Sequence, residues 1–245
     1  MQKSKMALAS LMLAVTAMLA VGCTKPDEPG NGGNGGNIGS GTYNGHKFVD
    51  LGLPSGTLWA TCNVGANTPE GYGDYFAWGE TQTKSTYNWD TYKYASGHWN
   101  KLTKYCNRSA YGYNCFIDNL TVLQPSDDAA TANWGSGWCM PTRAQCQELY
   151  QNTTLTTWTT QNGVYGWLFT ASNGNSLFLP AAGYRYNGNL YYAGSYVFSW
   201  SSSLYVGDPG YAWSLLRCDS SYSMSESDYR DYGHSVRPVR SSGQK

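Results

Sequence analysis

The sequence contains few of the residue patterns that catalysis or metal binding requires. The three histidines, His46, His98 and His234, are far apart, and no Cys-x-x-Cys pair or Cys/His cluster suits zinc. No Gly-x-Ser-x-Gly elbow, His-Glu-x-x-His helix or phosphate-binding loop is present. Pairing of the two chain ends would bring His46 and His234 together, but without a neighbouring carboxylate they make a poor metal site. We therefore predict no catalytic residue, no metal and no cofactor.

Two carboxylate pairs have the spacing of acid–base residues but not the surroundings. Asp127 and Asp128 fall in the first turn of a short predicted helix, where acidic side chains favour the helix dipole. Glu226 and Asp228 lie in a polar stretch that is typical of a solvated turn. Since neither pair has a partner base or a cleft signature, the sequence predicts a protein that is not an enzyme.

Six cysteines follow Cys23, and an even number in an exported chain indicates disulfides. Cys106 and Cys115 are the best candidates, because a bridge between them would close a short Gly/Tyr/Asn loop. The alternative is that several cysteines are buried free thiols, since Cys packs as a small hydrophobe. For Cys146 both readings stay open. The six are Cys62, Cys106, Cys115, Cys139, Cys146 and Cys218.

Tyrosine is concentrated in the C-terminal half of the chain. Ten of the 21 tyrosines lie between residues 184 and 232, among Ser, Asn, Gly and Asp. This composition is typical of paratopes, because Tyr gives large contact area at low entropic cost and the small polar residues supply adaptable hydrogen bonds. The alternative for any single ring is core or cross-strand packing, which we expect for Trp200 and Trp213. The predicted ligand-binding residues are Tyr186, Asn187, Asn189, Tyr191, Tyr192, Tyr196, Tyr205, Asp208, Asp228 and Tyr232.

Composition and charge narrow the class of protein. Charged residues make up 13% of the chain and aromatic residues 15%, with 29 glycines, which suits short strands, turns and an aromatic core. The formal net charge is zero and no run of Lys or Arg occurs. Nucleic acid is therefore not an expected partner.

The first 22 residues have the pattern of a bacterial lipoprotein signal peptide. Lys3 and Lys5 precede an apolar run of about sixteen residues, which suits a signal-peptide core better than a membrane span. The small residues before Cys23 are similar to a lipobox, so Cys23 is the predicted lipidation site. The alternative is an ordinary secretory signal with an unrelated cysteine. Residues 23–41 are rich in Gly and Asn and should form a flexible tether.

The clearest element that could position these residues is a helix over 142–151. Thr142 is a good N-cap and Gln145 sits where a capping box places Glu or Gln. Cys146, Leu149 and Tyr150 then form one apolar stripe that should face a core.

Strands are expected on both sides of that helix. A hairpin is predicted over 46–64, from strand 47–53, a Pro-Ser-Gly turn and strand 57–64. Further strands are predicted at 158–170, 175–179, 190–192, 196–201, 212–216 and 221–224, with a short helix over 126–133. Residues 81–120 are predicted to be long loops with short strands. The expectation is a single α+β domain over 42–240 with short antiparallel strands and hairpins and two short helices, followed by a disordered tail at 241–245.

The segment Trp138-Cys-Met-Pro-Thr-Arg-Ala-Gln-Cys-Gln-Glu-Leu149 resembles a motif of two related groups of proteins. These are the formylglycine-generating-enzyme-like proteins and the Fibrobacter succinogenes major paralogous domain, both of the C-type-lectin-like fold. Position 139 is Cys where the motif has Arg, and 146 is Cys where it has an aromatic residue. The hairpin and the stretch through Glu80 are similar to the opening of the paralogous domain, and His234–Arg240 to its closing strand. The resemblance implies that residues 46–53 and 234–240 pair, so that the N- and C-terminal strands are joined.

The same resemblance implies a binding protein. The formylglycine-generating relatives use cysteines near the C-terminus for copper and oxygen chemistry, and only Cys218 lies in that part of this chain. Lys25 followed by acidic residues is similar to the surface-export signal of Bacteroidetes lipoproteins, so we expect a lipid-anchored protein of the outer membrane, exposed on the cell surface. The predicted function is a non-catalytic module that binds a surface glycan or protein through its Tyr/Ser/Asn-rich face. The alternative is a structural or assembly component of an outer-membrane or fimbria-like complex.

Overall fold

The computed structural model describes residues 40–218 and 226–242, with the side chains of 217 and 218 excepted. Over these residues the protein is mostly β, with several antiparallel sheets, two α-helices and two short 3-10 helices, Tyr113–Cys115 and Pro125–Asp127. The α-helices are α1 (Ala129–Trp134) and α2 (Arg143–Gln151). The strands are β1 (Gly41–Tyr43), β2 (His46–Asp50), β3 (Thr57–Ala60), β4 (Thr153–Gln161), β5 (Val164–Ala171), β6 (Ser176–Pro180), β7 (Tyr184–Tyr186), β8 (Asn189–Tyr191), β9 (Tyr196–Leu204), β10 (Tyr211–Cys218), β11 (Glu226–Tyr229) and β12 (Val239–Ser241).

The predicted N-terminal hairpin is confirmed. Strands β2 and β3 pair antiparallel, and the turn between them closes through a hydrogen bond from Gly56 N to Leu53 O (2.8 Å). Gly56 has a φ of +69°, a conformation that glycine adopts without strain. The sheet has the order β1-β2-β3-β12, so the first and last strands of the described residues lie in one sheet. It begins at Gly41, inside the segment that the sequence assigned to the tether.

The predicted pairing of residues 46–53 with residues 234–240 is wrong, because the C-terminal strand pairs with a different strand of the N-terminal hairpin. The last strand, β12, pairs with β3, with Val239 opposite Trp59. The far edge of β2 is already occupied by β1, so β3 offers the free edge. Upstream of β12, His234 forms a bridge with Phe76 instead. The predicted tail is also shorter, since β12 reaches Ser241 and the next residue donates to Gly56 O.

Two clusters of buried hydrophobic residues lie on opposite faces of this sheet. Alternation along β3 places Leu58 and Ala60 in one cluster and Trp59 in the other. The first cluster is rich in tyrosine and tryptophan from the loops, and it includes Trp78 and Trp200. The second cluster holds the inner faces of α2, β5 and β6. The chain therefore builds its core from aromatic rings, as its composition indicates.

The predicted helix over 142–151 is confirmed as α2. Thr142 accepts from Gln145 N (3.2 Å), and the Gln145 side chain accepts from Thr142 N (2.8 Å), which completes the capping box. Cys146 and Leu149 are buried and Tyr150 packs beside them, so the apolar stripe faces the second core cluster.

The helix predicted over 126–133 starts later, because Asp128 and not Ser126 is the N-cap of α1. The Asp128 carboxylate accepts from Thr131 N (2.9 Å) and also from Met140 N (2.8 Å), which holds α1 against the segment that leads into α2. Burial raises the pKa of Asp128 to about 6. The first carboxylate pair is therefore structural, as predicted for Asp128.

Asp127 has a different role from its neighbour. Its carboxylate is buried and accepts hydrogen bonds from the hydroxyls of Tyr94 and Tyr105 and from the Lys104 ammonium. Desolvation raises the pKa of Asp127, but these donors outweigh it and lower the pKa overall. The carboxylate therefore ties three loop residues of the 81–120 segment to the core.

The strand predicted over 158–170 is a hairpin. Strands β4 and β5 pair antiparallel and turn at Asn162 and Gly163, which have φ values of +49° and +81°. An Asn-Gly pair between alternating residues is the typical signal of a two-residue hairpin loop. With β6, these strands form a sheet of order β4-β5-β6.

Two further strand groups complete the domain. Strands β9, β10 and β11 form a sheet of order β11-β10-β9, and β9 and β10 are longer than the predicted strands 196–201 and 212–216. Strands β7 and β8 form a two-stranded hairpin. The strand predicted over 221–224 lies outside the described residues. Residues 81–120 form long loops, as predicted, but the short strands predicted there are reduced to isolated bridges, beside one 3-10 turn.

The predicted disulfide between Cys106 and Cys115 is wrong, because both cysteines are free. Cys106 is buried and its thiol donates to the Arg108 carbonyl (3.1 Å), whereas Cys115 is exposed. The loop between them is held instead by Asp118, whose carboxylate accepts from the backbone N–H groups of Tyr105 and Cys106.

The other described cysteines divide between free and bonded. Cys62 and Cys146 are free, and burial raises the pKa of the Cys146 thiol to about 12, which is the buried-thiol alternative for this residue. Cys139 is disulfide-bonded, to a partner outside the described side chains.

Candidate functional site

A tight hairpin carries the first group of predicted ligand-binding residues. Strands β7 and β8 turn at Asn187 and Gly188, whose φ values of +46° and +80° suit a two-residue hairpin loop. The register places Tyr184 opposite Tyr191, and their rings stack with centroids 5.5 Å apart. The hairpin thus presents aromatic rings on one face because of where its turn falls.

Backbone hydrogen bonds fix this hairpin to the rest of the domain. Arg185 N donates to Gly233 O (2.8 Å), and Gly233 N donates back to Arg185 O (2.9 Å). At the turn, Asn187 N donates to Tyr87 O (3.0 Å), and Asn88 Nδ2 donates to Asn187 Oδ1 (3.0 Å). The hairpin is therefore held at both ends before any ligand arrives.

Rings from three chain segments meet around Tyr184. Tyr232 stacks on Tyr184 with centroids 5.1 Å apart and planes within 1° of parallel. Tyr186 lies 4.8 Å from Tyr232 on one side. On the other side Tyr192 lies 5.9 Å from Tyr184 and 5.1 Å from Tyr196. We call this group the tyrosine face: Tyr184, Tyr186, Tyr191, Tyr192, Tyr196 and Tyr232.

The rings of the tyrosine face are open to solvent to different degrees. Tyr192 is 56% exposed and Tyr191 is 38% exposed, and the other four are half-buried. Tyr192 also has a φ of +54°, a backbone conformation that an L-residue adopts rarely. The face therefore consists of a half-buried centre with two exposed rings beside it.

Buried rings form the floor under the tyrosine face. Phe198 packs against Tyr184 with centroids 5.1 Å apart and against the His234 ring at 5.0 Å. His234 in turn stacks on Trp200 at 3.8 Å. His234 is fully buried, and this burial lowers its pKa below the ordinary value. Its imidazole is therefore neutral at neutral pH.

One carboxylate, Asp228, lies against the His234 ring of the floor. Asp228 Oδ2 is 3.2 Å from His234 Nε2, although without the alignment of a hydrogen bond, and Asp228 Oδ1 accepts from Tyr229 N (2.8 Å). Burial raises the pKa of Tyr184 and Tyr232, and the nearby Asp228 charge raises both further. Both phenols therefore stay neutral at physiological pH.

A second carboxylate, Asp231, is buried one turn away. It is fully buried, and neither of its side-chain oxygens has a hydrogen-bond partner. Burial raises its pKa to about 7, and the Asp228 charge contributes to the rise. Sequence inspection passed over this residue, because nothing in its neighbours signals a buried acid.

The structure brings most of the predicted ligand-binding residues together. Tyr186, Tyr191, Tyr192, Tyr196 and Tyr232 belong to the tyrosine face, and Asp228 lies against it. Asn187 and Asn189 lie at the exposed tip of the β7–β8 hairpin. Tyr184, the central ring, was missed, although the alternation Tyr-Arg-Tyr before the Asn-Gly turn would have identified it.

Two predicted residues lie at the other end of β9. Tyr205 packs on Trp213 with ring centroids 5.1 Å apart, and Asp208 accepts from the Tyr111 hydroxyl (3.0 Å). Trp213 is half-buried, whereas Trp200 is fully buried as predicted. Strand β9 separates the two ends by about 27 Å at roughly 3.4 Å per residue. Tyr205 and Asp208 therefore do not belong to the tyrosine face.

The expected meeting of His46 and His234 does not occur. His46 stacks on Trp134 with centroids 3.7 Å apart and lines a cleft with Cys62 and Pro69. His234 lies in the floor of the tyrosine face. Among the described residues, no group of three or more His, Cys, Asp or Glu side chains could hold a metal ion.

Comparison of the chain with family models, curated proteins and solved structures finds no match in any of the three. Within the described part of the chain, the helices are too short or too polar to span a membrane.

Proposed function

We propose that this protein is a lipid-anchored surface module that binds a glycan or protein ligand through the tyrosine face, without catalysis. The single observation that carries this proposal is the contact of six tyrosine rings, two of them exposed, over one buried floor. Clustered exposed aromatic surface marks interaction sites in soluble domains. Tyr rings are also the residues that binding surfaces use most, because they have few rotatable bonds for their area.

Preorganisation supports binding as the role of this face. The β7–β8 hairpin is fixed by hydrogen bonds at Arg185 and Asn187, and the central rings already stack on one another. A ligand would therefore meet side chains whose conformational entropy is largely lost already, which raises affinity for a given contact area.

The position of His234 favours binding over acid–base catalysis. This imidazole lies beneath Phe198 and the tyrosine rings and is fully buried. A general base must come within hydrogen-bond reach of the proton that it removes. A ligand on the tyrosine face would be separated from His234 by the rings themselves.

The C-type-lectin-like fold and the surface location are part of the same proposal. The terminal strands β2, β3 and β12 share a sheet, and α2 follows the Trp-x-Met-Pro-Thr motif, which are the two features on which the resemblance rests. We place the lipid anchor on Cys23 and the tether on the residues between it and β1, of which 23–39 lie outside the described residues.

Arrays of glycans and of purified surface proteins test the binding proposal. Full-length protein should bind a subset of probes, and replacement of both Tyr191 and Tyr192 by Ala should abolish that binding. Tyr113→Ala is the matched control, because Tyr113 is 45% exposed but lies outside the tyrosine face. Equal binding by the double variant and the control would contradict the proposal.

A second candidate function is assembly into a larger complex, and strand β4 favours it. In the described structure β4 pairs on one side only, with β5, and its nine residues, TTLTTWTTQ, contain neither charge nor proline. Natural edge strands are usually protected by such residues, since an open edge pairs with other chains. Thr157→Lys should block such assembly in chemical cross-linking, and Ser172→Lys, in the β5–β6 turn, is the control. Unchanged cross-linking by Thr157→Lys would remove this candidate.

A further inference from the structure

We infer that the ligand group bound at the centre of the tyrosine face is a primary ammonium, held between the rings and the Asp228 carboxylate. This inference rests on the proposed function and adds the chemical class of the ligand. The ammonium could come from a lysine side chain or from an amino sugar, and the experiment below separates the two sources.

Asp228 has no charged partner among the described side chains. Its side chain is 21% exposed, and His234 is the one basic side chain in ion-pair range of it within the described residues. His234 is buried among aromatic rings, which keeps its imidazole neutral at neutral pH. Among the described side chains, no cation therefore compensates the negative charge of Asp228.

The Asp228 carboxylate also lies near aromatic rings of the floor and of the tyrosine face. Asp228 Oδ2 lies 3.2 Å from His234 Nε2, and the His234 ring lies 6.2 Å from the Tyr184 ring, centroid to centroid. The Asp228 charge also raises the pKa of Tyr184 and Tyr232. The face of an aromatic ring attracts a cation, and the attraction grows when the cation loses water. Tyr184, Tyr186 and Tyr232 supply such ring surfaces within one contact of each other.

The hairpin's own cation, Arg185, lies outside the tyrosine face. Side chains alternate along a strand, so Arg185 points away from its neighbours Tyr184 and Tyr186. Its guanidinium lies over the Tyr75 ring, 5.0 Å from the centroid, outside the tyrosine face. The hairpin thus presents neutral phenols next to a carboxylate, which suits a cationic ligand better than a carboxylated one.

Charge then distinguishes this inference from binding of a neutral ligand. A neutral glycan would stack on the rings without needing Asp228. An ammonium would donate to the carboxylate and contact the rings, and its binding would weaken as salt screens the pair.

Four probes test the inference on full-length protein in detergent micelles by isothermal titration calorimetry. They are capped tetralysine, the same peptide with acetylated side chains, the glucosamine tetramer and the N-acetylglucosamine tetramer. We expect at least one charged probe to bind at least tenfold more tightly than its acetylated partner. The charged probe that binds identifies the source of the ammonium. We expect Asp228→Asn to weaken that binding about twofold to fivefold, since it removes a partly exposed charge pair and leaves the ring contacts in place.

The control is Glu70→Gln, which removes a carboxylate that is hydrogen-bonded to Asn162, at the tip of the β4–β5 hairpin. It should leave binding unchanged. Equal affinity for charged and acetylated probes, no binding of either charged probe, or an equal effect of both variants would overturn the inference. Binding of a neutral probe that depends on Tyr191 and Tyr192 would overturn it too, but would leave the proposed function standing.

Discussion

Tyr184 and Tyr232 stack with ring centroids 5.1 Å apart and planes within 1° of parallel, which joins the β7–β8 hairpin to the segment that leads into the last strand. The contact is reinforced by the hydrogen bonds between Arg185 and Gly233 on the same two segments. The central part of the tyrosine face is therefore also part of the domain's closure. The exposed rings at the border of the face do not contribute to this closure.

Substitutions at the centre and the border of the face should separate stability from binding. Tyr184→Ala removes a half-buried ring with several aromatic contacts, and we expect a loss of about 2–3 kcal/mol in the free energy of unfolding. Tyr192→Ala changes a ring that is 56% exposed and should alter stability by less than about 0.5 kcal/mol. Thermal unfolding of both variants measures these changes in stability. Both variants should also lose binding on the arrays. A large drop in Tm for Tyr192→Ala alone would contradict the assignment.

Asp231 should make stability fall as the pH rises. Its folded pKa, about 7, is above the ordinary value of an aspartate, so the folded state holds the proton more tightly than the unfolded state. The resulting stabilisation is present at low pH and is lost as the pH rises through 7. Relative to wild type, Asp231→Asn should therefore gain about 1 kcal/mol between pH 6 and pH 8. Urea unfolding at both values measures this, and His234, present in both proteins, cancels. If the difference in unfolding free energy between the variant and the wild type were the same at both pH values, the pKa of Asp231 would not be raised in the folded state.

Free thiols should label according to their exposure. Cys115 is exposed, whereas Cys106 and Cys146 are buried, so a maleimide should modify Cys115 in the native protein and the other two only after unfolding. Mass spectrometry of labelled peptides locates the adducts. If both Cys106 and Cys115 resist labelling until a reductant is added, the two cysteines form a disulfide and their assignment as free thiols is wrong.

The lipid anchor has its own test. Cys23→Ser removes the thiol that acylation requires, so the variant should lose palmitate labelling and leave the membrane fraction. An ordinary secretory signal would instead release the wild-type and the variant protein alike.

Truncation should show how much the last strand contributes. A chain that ends at Gly233 loses Val236 and Val239, which are fully buried, together with the β12–β3 hydrogen bonds. A buried Val contributes roughly 1.5 kcal/mol or more and each hydrogen bond about 1 kcal/mol, against a total of about 5–15 kcal/mol. The shortened domain should unfold, and circular dichroism and proteolysis measure this. A chain that ends at Ser242 keeps every β12 contact and should remain folded. Protease resistance of the shorter chain would mean that β12 does not close the domain.

Local signals in the sequence were sufficient for some elements. The capping box of Thr142 and Gln145 and the turn at Gly56 act between near neighbours, so α2 and the β2–β3 hairpin were predictable. The Asn162-Gly163 turn was predictable in the same way, because an Asn-Gly pair is also a local signal. The prediction of one strand over 158–170 did not take this turn into account.

Non-local features were not predictable in the same way. The partner of β12 depends on β1, which occupies the outer edge of β2 and leaves β3 free. Composition identified the tyrosine-rich region, but it could not separate Tyr196 from Tyr205, which lie at opposite ends of β9. The buried acid Asp231 depends on loops that the chain folds over it, and no sequence pattern marks it.

Oxidative footprinting of tyrosine side chains tests whether the tyrosine face binds the ligand. Full-length protein would be labelled with hydroxyl radicals, with and without the probe that binds it best on the arrays. We predict that the probe protects Tyr186, Tyr191 and Tyr192, and that Tyr113 and Tyr165, which are exposed elsewhere, label unchanged. Protection of Tyr113 or Tyr165, with the rings of the tyrosine face labelled as in the free protein, would contradict the claim that this face binds the ligand.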